Sequence, residues 1–330
     1  VRSRRQRQMC IRDSDITIPD FYSTEEFENA YTYDGGDLGA TWSKESTTFK
    51  VWAPTAAGVK VNLYKGGEEG EDDLIESHDM KSDDKGVWEV KVDGDLNGTY
   101  YTYTADFGDT QNEACDPYAK TVGVNGDRAM VIDMDSTNPA GWDNDSNPNK
   151  NLKNTDVSIY ELHVRDLSSD ASSGIKNTGK YLGLTETGTT NSKGQSTGLD
   201  HIKELGITHI QLNPVYDYAT VDETKLDTNQ FNWGYDPKNY NSPEGSYSTD
   251  PYNGDVRVKE FKEMVKTLHD NDISVVMDVV YNHTYSTDYC YNKLVPDYFY
   301  RPGSNGSGCG NDVASERAMV RNFIVDSVAY

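Results

Sequence analysis

The hydrophobic period of this chain changes once, and that change constrains the fold more than any other feature. Up to about Met134 the apolar residues alternate, as they do on strands with one buried face. TFKVWAP puts Phe49, Val51 and Ala53 on one side, GVKVNLY does the same with Val59, Val61 and Leu63, and GVWEVKV repeats the pattern. Pro54 ends the first run because it cannot donate to a ladder, Asp93-Gly94 marks a turn, and TYYTYTADF reads as a further strand. From Asp156 the order becomes strand, helix, strand, helix, strand, helix. DVSIYELHV, ITHIQLNPV and ISVVMDVVYNH read as buried strands. TGLDHIKELG reads as a helix opened by a capping-box-like Thr197-x-x-Asp200 and closed by Gly206, with Leu199, Ile202 and Leu205 on one face. A second helix spaces Val258, Phe261, Val265 and Leu268 by three, four and three, and SERAMVRNFIVDSVAY turns Val320, Phe323, Ile324 and Val328 inward.

The expected architecture is multidomain, β followed by α/β. Residues 38–134 form a β-sandwich, residues 135–155 a connection dense in Asn, Asp, Pro and Gly, and residues 156–330 a parallel sheet covered by helices. A doubly wound sheet and a (β/α)8 barrel both fit that alternation, but no glycine-rich phosphate loop follows the first strand. The long segments, 168–196 and 214–254 among them, lie after strands and before helices, the end at which barrels build their sites. A full barrel takes about 250 residues. Residues 156–330 supply 175 and three strand–helix units, so an incomplete barrel is expected.

Residues 15–37 read as a short extended lead-in. Residues 1–14, VRSRRQRQMCIRDS, hold five of the eleven arginines in an otherwise acidic chain. They are expected to be a vector- or adaptor-derived tail, and with no apolar stretch after them they are not a signal peptide. Localisation is left open.

With 55 Asp+Glu against 31 Lys+Arg, the net charge is −24. Such a surface repels phosphate backbones and anionic membranes, so neither nucleic acid nor membrane is an expected partner. No run of 18 apolar residues suggests a transmembrane helix. The four cysteines, at 10, 115, 290 and 309, are too sparse for a disulfide framework, although Cys290 and Cys309 could pair.

Chemistry concentrates in two stretches. In ISVVMDVVYNHT, one carboxylate, Asp278, interrupts an apolar strand that ends in Asn282-His283. By strand alternation Asp278, Val280 and Asn282 share one face and Val279, Tyr281 and His283 the other. Taken alone, both Asp278 and His283 read as satisfied structural groups. The segment FNWGYDPKNYNSPEGSYSTDP, residues 231–251, adds Trp233, Tyr235, Tyr240 and Tyr247 among Asn, Asp, Ser and Gly. Flat apolar rings with polar tips suit sugars, which present C–H faces and hydroxyls, but they also suit a minor core under a long loop.

These residues carry a resemblance to a known family. DVVYNHT resembles the first shared segment of the α-amylase superfamily, glycoside hydrolase family 13. FNWGYDPKNYNSPEGSYSTDP, YELHVRDLS and GCGNDVASER are similar to segments of type I pullulanases within it, and DPYAKTVGVNGDRAMVID resembles the end of a family 48 carbohydrate-binding module. The resemblance runs from about Leu38 to Tyr330. It implies a (β/α)8 barrel after the sandwich and hydrolysis of α-1,6-glucosidic bonds in pullulan, glycogen or amylopectin. Its implied partner is an α-glucan poly- or oligosaccharide. His283 is implied to hydrogen-bond the sugar at the cleaved position and Tyr235 to stack under it. Trp233 and Asp236 are implied to contact sugar, and Asp278 to be a buried group orienting the site. Asn282 is implied to shape the third loop, at a position that binds calcium (Ca2+) in some relatives; no other cofactor is implied. His163 and Arg165 are read as support for the first strand.

Retaining hydrolysis needs a carboxylate nucleophile and a carboxylic acid about 5 Å apart. In the family these sit on the fourth and fifth strands, so both are expected beyond Tyr330, with no catalytic carboxylate in residues 1–330. The alternatives are a non-catalytic α-glucan-binding protein, or an isoamylase- or glycogen-branching-type member.

Overall fold

The computed structural model describes residues 21–329; the arginine-rich tail and Cys10 lie outside the described residues. Two antiparallel sheets make the sandwich. One has the order β1 (Gly39–Trp42), β2 (Ser46–Trp52), β6 (Val87–Asp93), β5 (Lys81–Ser82). The other has the order β4 (Leu74–Asp79), β3 (Gly58–Tyr64), β7 (Tyr100–Asp106), β8 (Gln111–Ala114), with β9 (Ala129–Met130) also paired to β7. The alternation read from the sequence holds: Phe49, Val51, Val59, Val61 and Leu63 are buried. Phe49 meets Tyr101 edge-on at 5.0 Å between the sheets. Such a pair contributes about 0.5–1.5 kcal/mol beyond the area it buries.

The second part has a parallel sheet of β10 (Ile159–Leu162), β11 (His209–Leu212) and β14 (Ser274–Met277), with β11 in the middle. Its register aligns Leu162, Leu212 and Met277. Helices α2 (Gly198–Leu205) and α3 (Gly254–Asp270) cover one face, and Leu162, Leu199, Ile202, Ile210, Leu212, Met264 and Leu268 form the core between.

Several expectations are corrected here. All three strands are shorter and more exposed than their sequences suggest, because only one face of the sheet is covered. Ile159 is 54 % exposed and Met277 44 %, and β14 ends before Asp278. Residues 15–37 are not simply extended, since α1 spans Glu25–Tyr31. The Thr24 side chain caps it at Phe27 N, acidic residues fill its first turn, and Phe27 packs against Tyr22, Tyr31 and Tyr298. The 214–254 segment is not all loop either, because β12 (Tyr216–Tyr218) and β13 (Pro237–Pro243) pair within it.

Thr197 does not close a capping box. Its hydroxyl bonds Ser173 O and Thr189 Oγ1, and Asp200 accepts from Gly188 N instead. Leu205, in the last turn of α2, is exposed. In α5 (Ala318–Ala329) Val320 and Phe323 are buried, but against Tyr118, Tyr240, Tyr291 and Phe299, so this helix joins the sandwich core. Val328 is 67 % exposed, because that core touches the opposite side of the helix. Cys290, buried in α4 (Cys290–Leu294), and exposed Cys309 are both free thiols.

The sandwich and the barrel part interlock. The sandwich turn at Val124–Gly126 enters the barrel part, where Asn125 and Glu223 exchange hydrogen bonds of 2.8 and 2.7 Å and Asn239 Nδ2 donates to Gly126 O at 2.8 Å. Gly126 has φ +76°, and a Cβ there would lie 2.4 Å from Asp217 Oδ2. Arg257, fully buried, sits under this joint. It donates to Asp217 (3.2 Å), Glu223 (3.0 Å), Gly123 O (3.2 Å) and Pro251 O (3.0 Å). The 135–155 connection is tied down as well: Asn149 Nδ2 donates to Thr208 O and Asp272 O, and Asp145 meets His269 at 2.7 Å.

Candidate functional site

The C-terminal ends of β10 and β11 open onto a cleft of about 450 Å³ lined by Tyr160, Glu161, His163, Asn213 and Trp233. A larger cavity of about 570 Å³ lies between the sandwich and α4, away from these strand ends. Of its lining cations Arg128, Lys238 and Lys293, the first two are already paired with Asp73 and Asp127. The strand-end cleft is therefore the candidate site.

The segment 229–236 contributes Trp233 to the lining of this cleft. Asn232 folds it back on itself: its Oδ1 accepts from Gly234 N at 2.7 Å and its Nδ2 donates to Thr220 Oγ1 at 2.7 Å. Gly234 has φ +89°, and a Cβ there would approach Pro214 O to 2.8 Å, so the backbone passes where only glycine fits. On either side of this glycine Trp233 is 60 % exposed and Tyr235 38 % exposed. The Tyr235 hydroxyl donates to Asp278 Oδ2 at 2.7 Å. Burial, then the hydrogen bond to Asp278 and its charge, push the phenol up to about 12, so it stays a donor at neutral pH.

The residues singled out from the sequence do come together, though not all in the implied roles. Asp278 is half-buried rather than buried, and it tethers Tyr235. His283 is buried, with Nε2 2.9 Å from Tyr235 O and Nδ1 2.8 Å from Asn282 Oδ1. Both partners are acceptors, so a neutral ring, with its single N–H, can donate to only one of them. A sugar bonding His283 must displace one of these partners. Asp236 does not face the cleft freely, since its Oδ2 accepts from Thr220 N, Thr220 Oγ1 and Asn232 Nδ2, which pins the loop base. Asn282 also accepts from Val313 N through its backbone, next to a loop in which Asp312 takes bonds from Ser304, Gly306 and Ser307.

Calcium does not fit at Asn282 as arranged. The ion takes six to eight oxygens, whereas the Asn282 side-chain oxygen faces an imidazole nitrogen. Among the described residues the one cluster with the spacing of a metal site is Asp217, Glu223 and Glu244, and Arg257 already bonds two of its members.

Two family descriptions match the chain: "Carbohydrate-binding module 48 (Isoamylase N-terminal domain)" over residues 37–119 and "Alpha amylase, catalytic domain" over residues 101–304. The chain belongs to the α-amylase family. Within that family, the pullulanase of Bacillus subtilis (strain 168) is 41 % identical over 333 residues, covering 97 % of this chain and 45 % of its own length. "Pullulanase 1, chloroplastic" of Arabidopsis thaliana is 32 % identical, over 91 % of this chain and 35 % of its own length. A Paenibacillus barengoltzii pullulanase, solved in complex with maltohexaose and α-cyclodextrin, superposes with a TM-score of 0.90 at 48 % identity, over 93 % of this chain and 48 % of that one. The chain thus spans about half or less of the length of these α-amylase-family relatives. The likeness supports the reading of a carbohydrate-module-like sandwich followed by part of an α-amylase barrel, and it sets aside the doubly wound alternative.

Three residues that matter to the site were undervalued in the sequence. His163 and Arg165 bond the 229–232 backbone, and Phe231 stacks on His163 at 5.4 Å. Their one sequence signal is position, two polar residues at the end of an apolar strand.

Proposed function

We propose that the chain is the sugar-holding part of an α-glucan-debranching hydrolase that cleaves α-1,6-glucosidic bonds in pullulan, glycogen or amylopectin with retention. The observation that carries this reading is the pair of exposed rings, Trp233 and Tyr235, held over the ends of the parallel strands with the Tyr235 hydroxyl on Asp278. The rings offer stacking faces to a glucose unit, and Asp278 fixes the orientation of one of them. The relatives support the substrate class, since they are named pullulanases and one is solved with maltohexaose.

The described residues bind rather than cut. The buried carboxylates that crowd within 4.8 Å, Asp217, Glu223 and Glu244, cannot reach a sugar. Asp278 and Asp236, near the strand ends, are engaged by Tyr235 and by Thr220 and Asn232, and Glu161 and Asp166, which line the cleft, match no nucleophile or acid/base motif of the family. Residues 1–330 are therefore expected to bind maltotriose and to release no reducing ends from pullulan. Calorimetric titration with a reducing-sugar assay tests both statements. Tyr235→Ala should weaken binding by about tenfold, the loss of one stacking contact. Equal affinity in that variant, or hydrolysis by the 330-residue chain, contradicts the proposal.

A further inference from the structure

Two histidines from different strands hold the backbone on either side of Trp233-Gly234. His283, after β14, bonds Tyr235 O at 2.9 Å. His163, after β10, bonds Asn232 O at 2.7 Å. The two carbonyls are three residues apart, and the exposed Trp233 lies between them. We propose that His163 is a positioning residue: its Nε2–H, with the Arg165 guanidinium, sets the height and tilt of the Trp233 ring at the cleft. This inference rests on the binding role proposed above for Trp233 and Tyr235.

The tautomer follows from the surroundings. Asp166 N–H donates to His163 Nδ1 at 3.3 Å, so Nδ1 accepts, and the proton sits on Nε2, where Asn232 O receives it. The Tyr247 hydroxyl lies 3.3 Å from the same Nε2. The ring is buried, stacked on Phe231 at 5.4 Å and 24°, and Phe231 in turn meets Trp233 edge-on at 5.5 Å. Two routes, one through backbone and one through rings, thus link His163 to Trp233. Arg165 holds the stretch just before it by donating to Gln230 O and to Asn229 Oδ1. Gln230 is fixed from its far side by Asp222 and Lys225. The His163 bond runs from the strand end to the loop.

The test compares His163→Leu, His163→Gln and Tyr235→Ala in the 330-residue chain. Glutamine can place an N–H near the original Nε2; leucine cannot. Maltotriose affinity, thermal unfolding and amide exchange of residues 229–235 are measured for each. His163→Leu is expected to bind about five- to tenfold more weakly, the fold-change for one lost hydrogen bond. Its loop amides should exchange faster while those of the sandwich strands do not. His163→Gln is expected to restore both. Wild-type binding in His163→Leu, alongside weakened binding in Tyr235→Ala, overturns the inference and leaves the binding role standing. A glutamine variant as impaired as the leucine one also overturns it. If Tyr235→Ala binds as well as wild type, or wild type does not bind, the binding role fails; loop exchange, which needs no sugar, then still decides whether His163 holds the loop.

Discussion

At the scale of single residues, the site depends on what surrounds each polar group. Asp278 matters as an acceptor for Tyr235. Asp278→Asn removes a charge and a strong acceptor, so the Tyr235 phenol, held up to about 12, should titrate at lower pH. Burial remains in the variant, so the fall is partial. A site-resolved NMR titration of Tyr235 checks this, and an unchanged or higher value counts against the tether. Asp278 and His283 stand out in the sequence because a carboxylate and an imidazole interrupt an apolar run, but only the family resemblance raised them above satisfied structural groups. Their partners were not legible. That His283 bonds Tyr235 O, and that Asp236 braces Thr220, depends on how a loop refolds over a strand end, which no local period encodes.

At the scale of elements, the loop carrying Trp233 is shaped by a glycine and the joint below it by an arginine. Gly234→Ala should lower stability by about 1–3 kcal/mol, since the residue combines a left-handed φ with a 2.8 Å approach to Pro214 O. Urea denaturation, with loop exchange, would show the loss. Arg257→Met leaves Asp217 and Glu223 buried without their cation, and about 3–5 kcal/mol should go with it at pH 7. Asp217 and Glu244, both pushed up first by burial and then by neighbouring carboxylates, set how this depends on pH. Burial and then the Glu223 charge push Asp217 up to about 7, against the pull of Arg257. Its unfolded value is about 3.9. The native state therefore holds more protons between those values, and this group's contribution, full below about pH 4, is lost as pH rises through about 7. Without Arg257 that slope steepens, so the stability gap between variant and parent should narrow on acidification from pH 7 to pH 5. A gap that widens instead refutes this assignment. Strand and helix order was legible from the hydrophobic period. Element lengths were not, because Leu205 and Val328 follow a helical spacing yet meet no neighbour there.

At the scale of the whole molecule, the parallel sheet has one covered face and, among the described residues, one unpaired edge on each of β10 and β14. Ile159, Tyr160 and Met277 are exposed apolar groups on its edge strands, and Val279 follows just after β14. Open edges of this kind pair with other chains. The 330-residue chain should therefore scatter more light as its concentration rises, and Ile159→Lys with Met277→Lys should reduce the effect. Scattering that stays flat with concentration argues that the surface is covered in some other way. A sandwich followed by an α/β part was legible from the change in period. Their interlocking was not, since it runs through a short sandwich turn, VGVNGDR, whose local pattern does not show which neighbour it meets. That turn limits how relatives could exchange parts. Asn125 and Gly126 complete a charge cluster that belongs to the neighbouring unit. A sandwich transplanted from a distant member would thus arrive with the wrong key for Glu223 and Asn239, and chimaeras should fold only where residues 121–128 come from the same parent as the barrel.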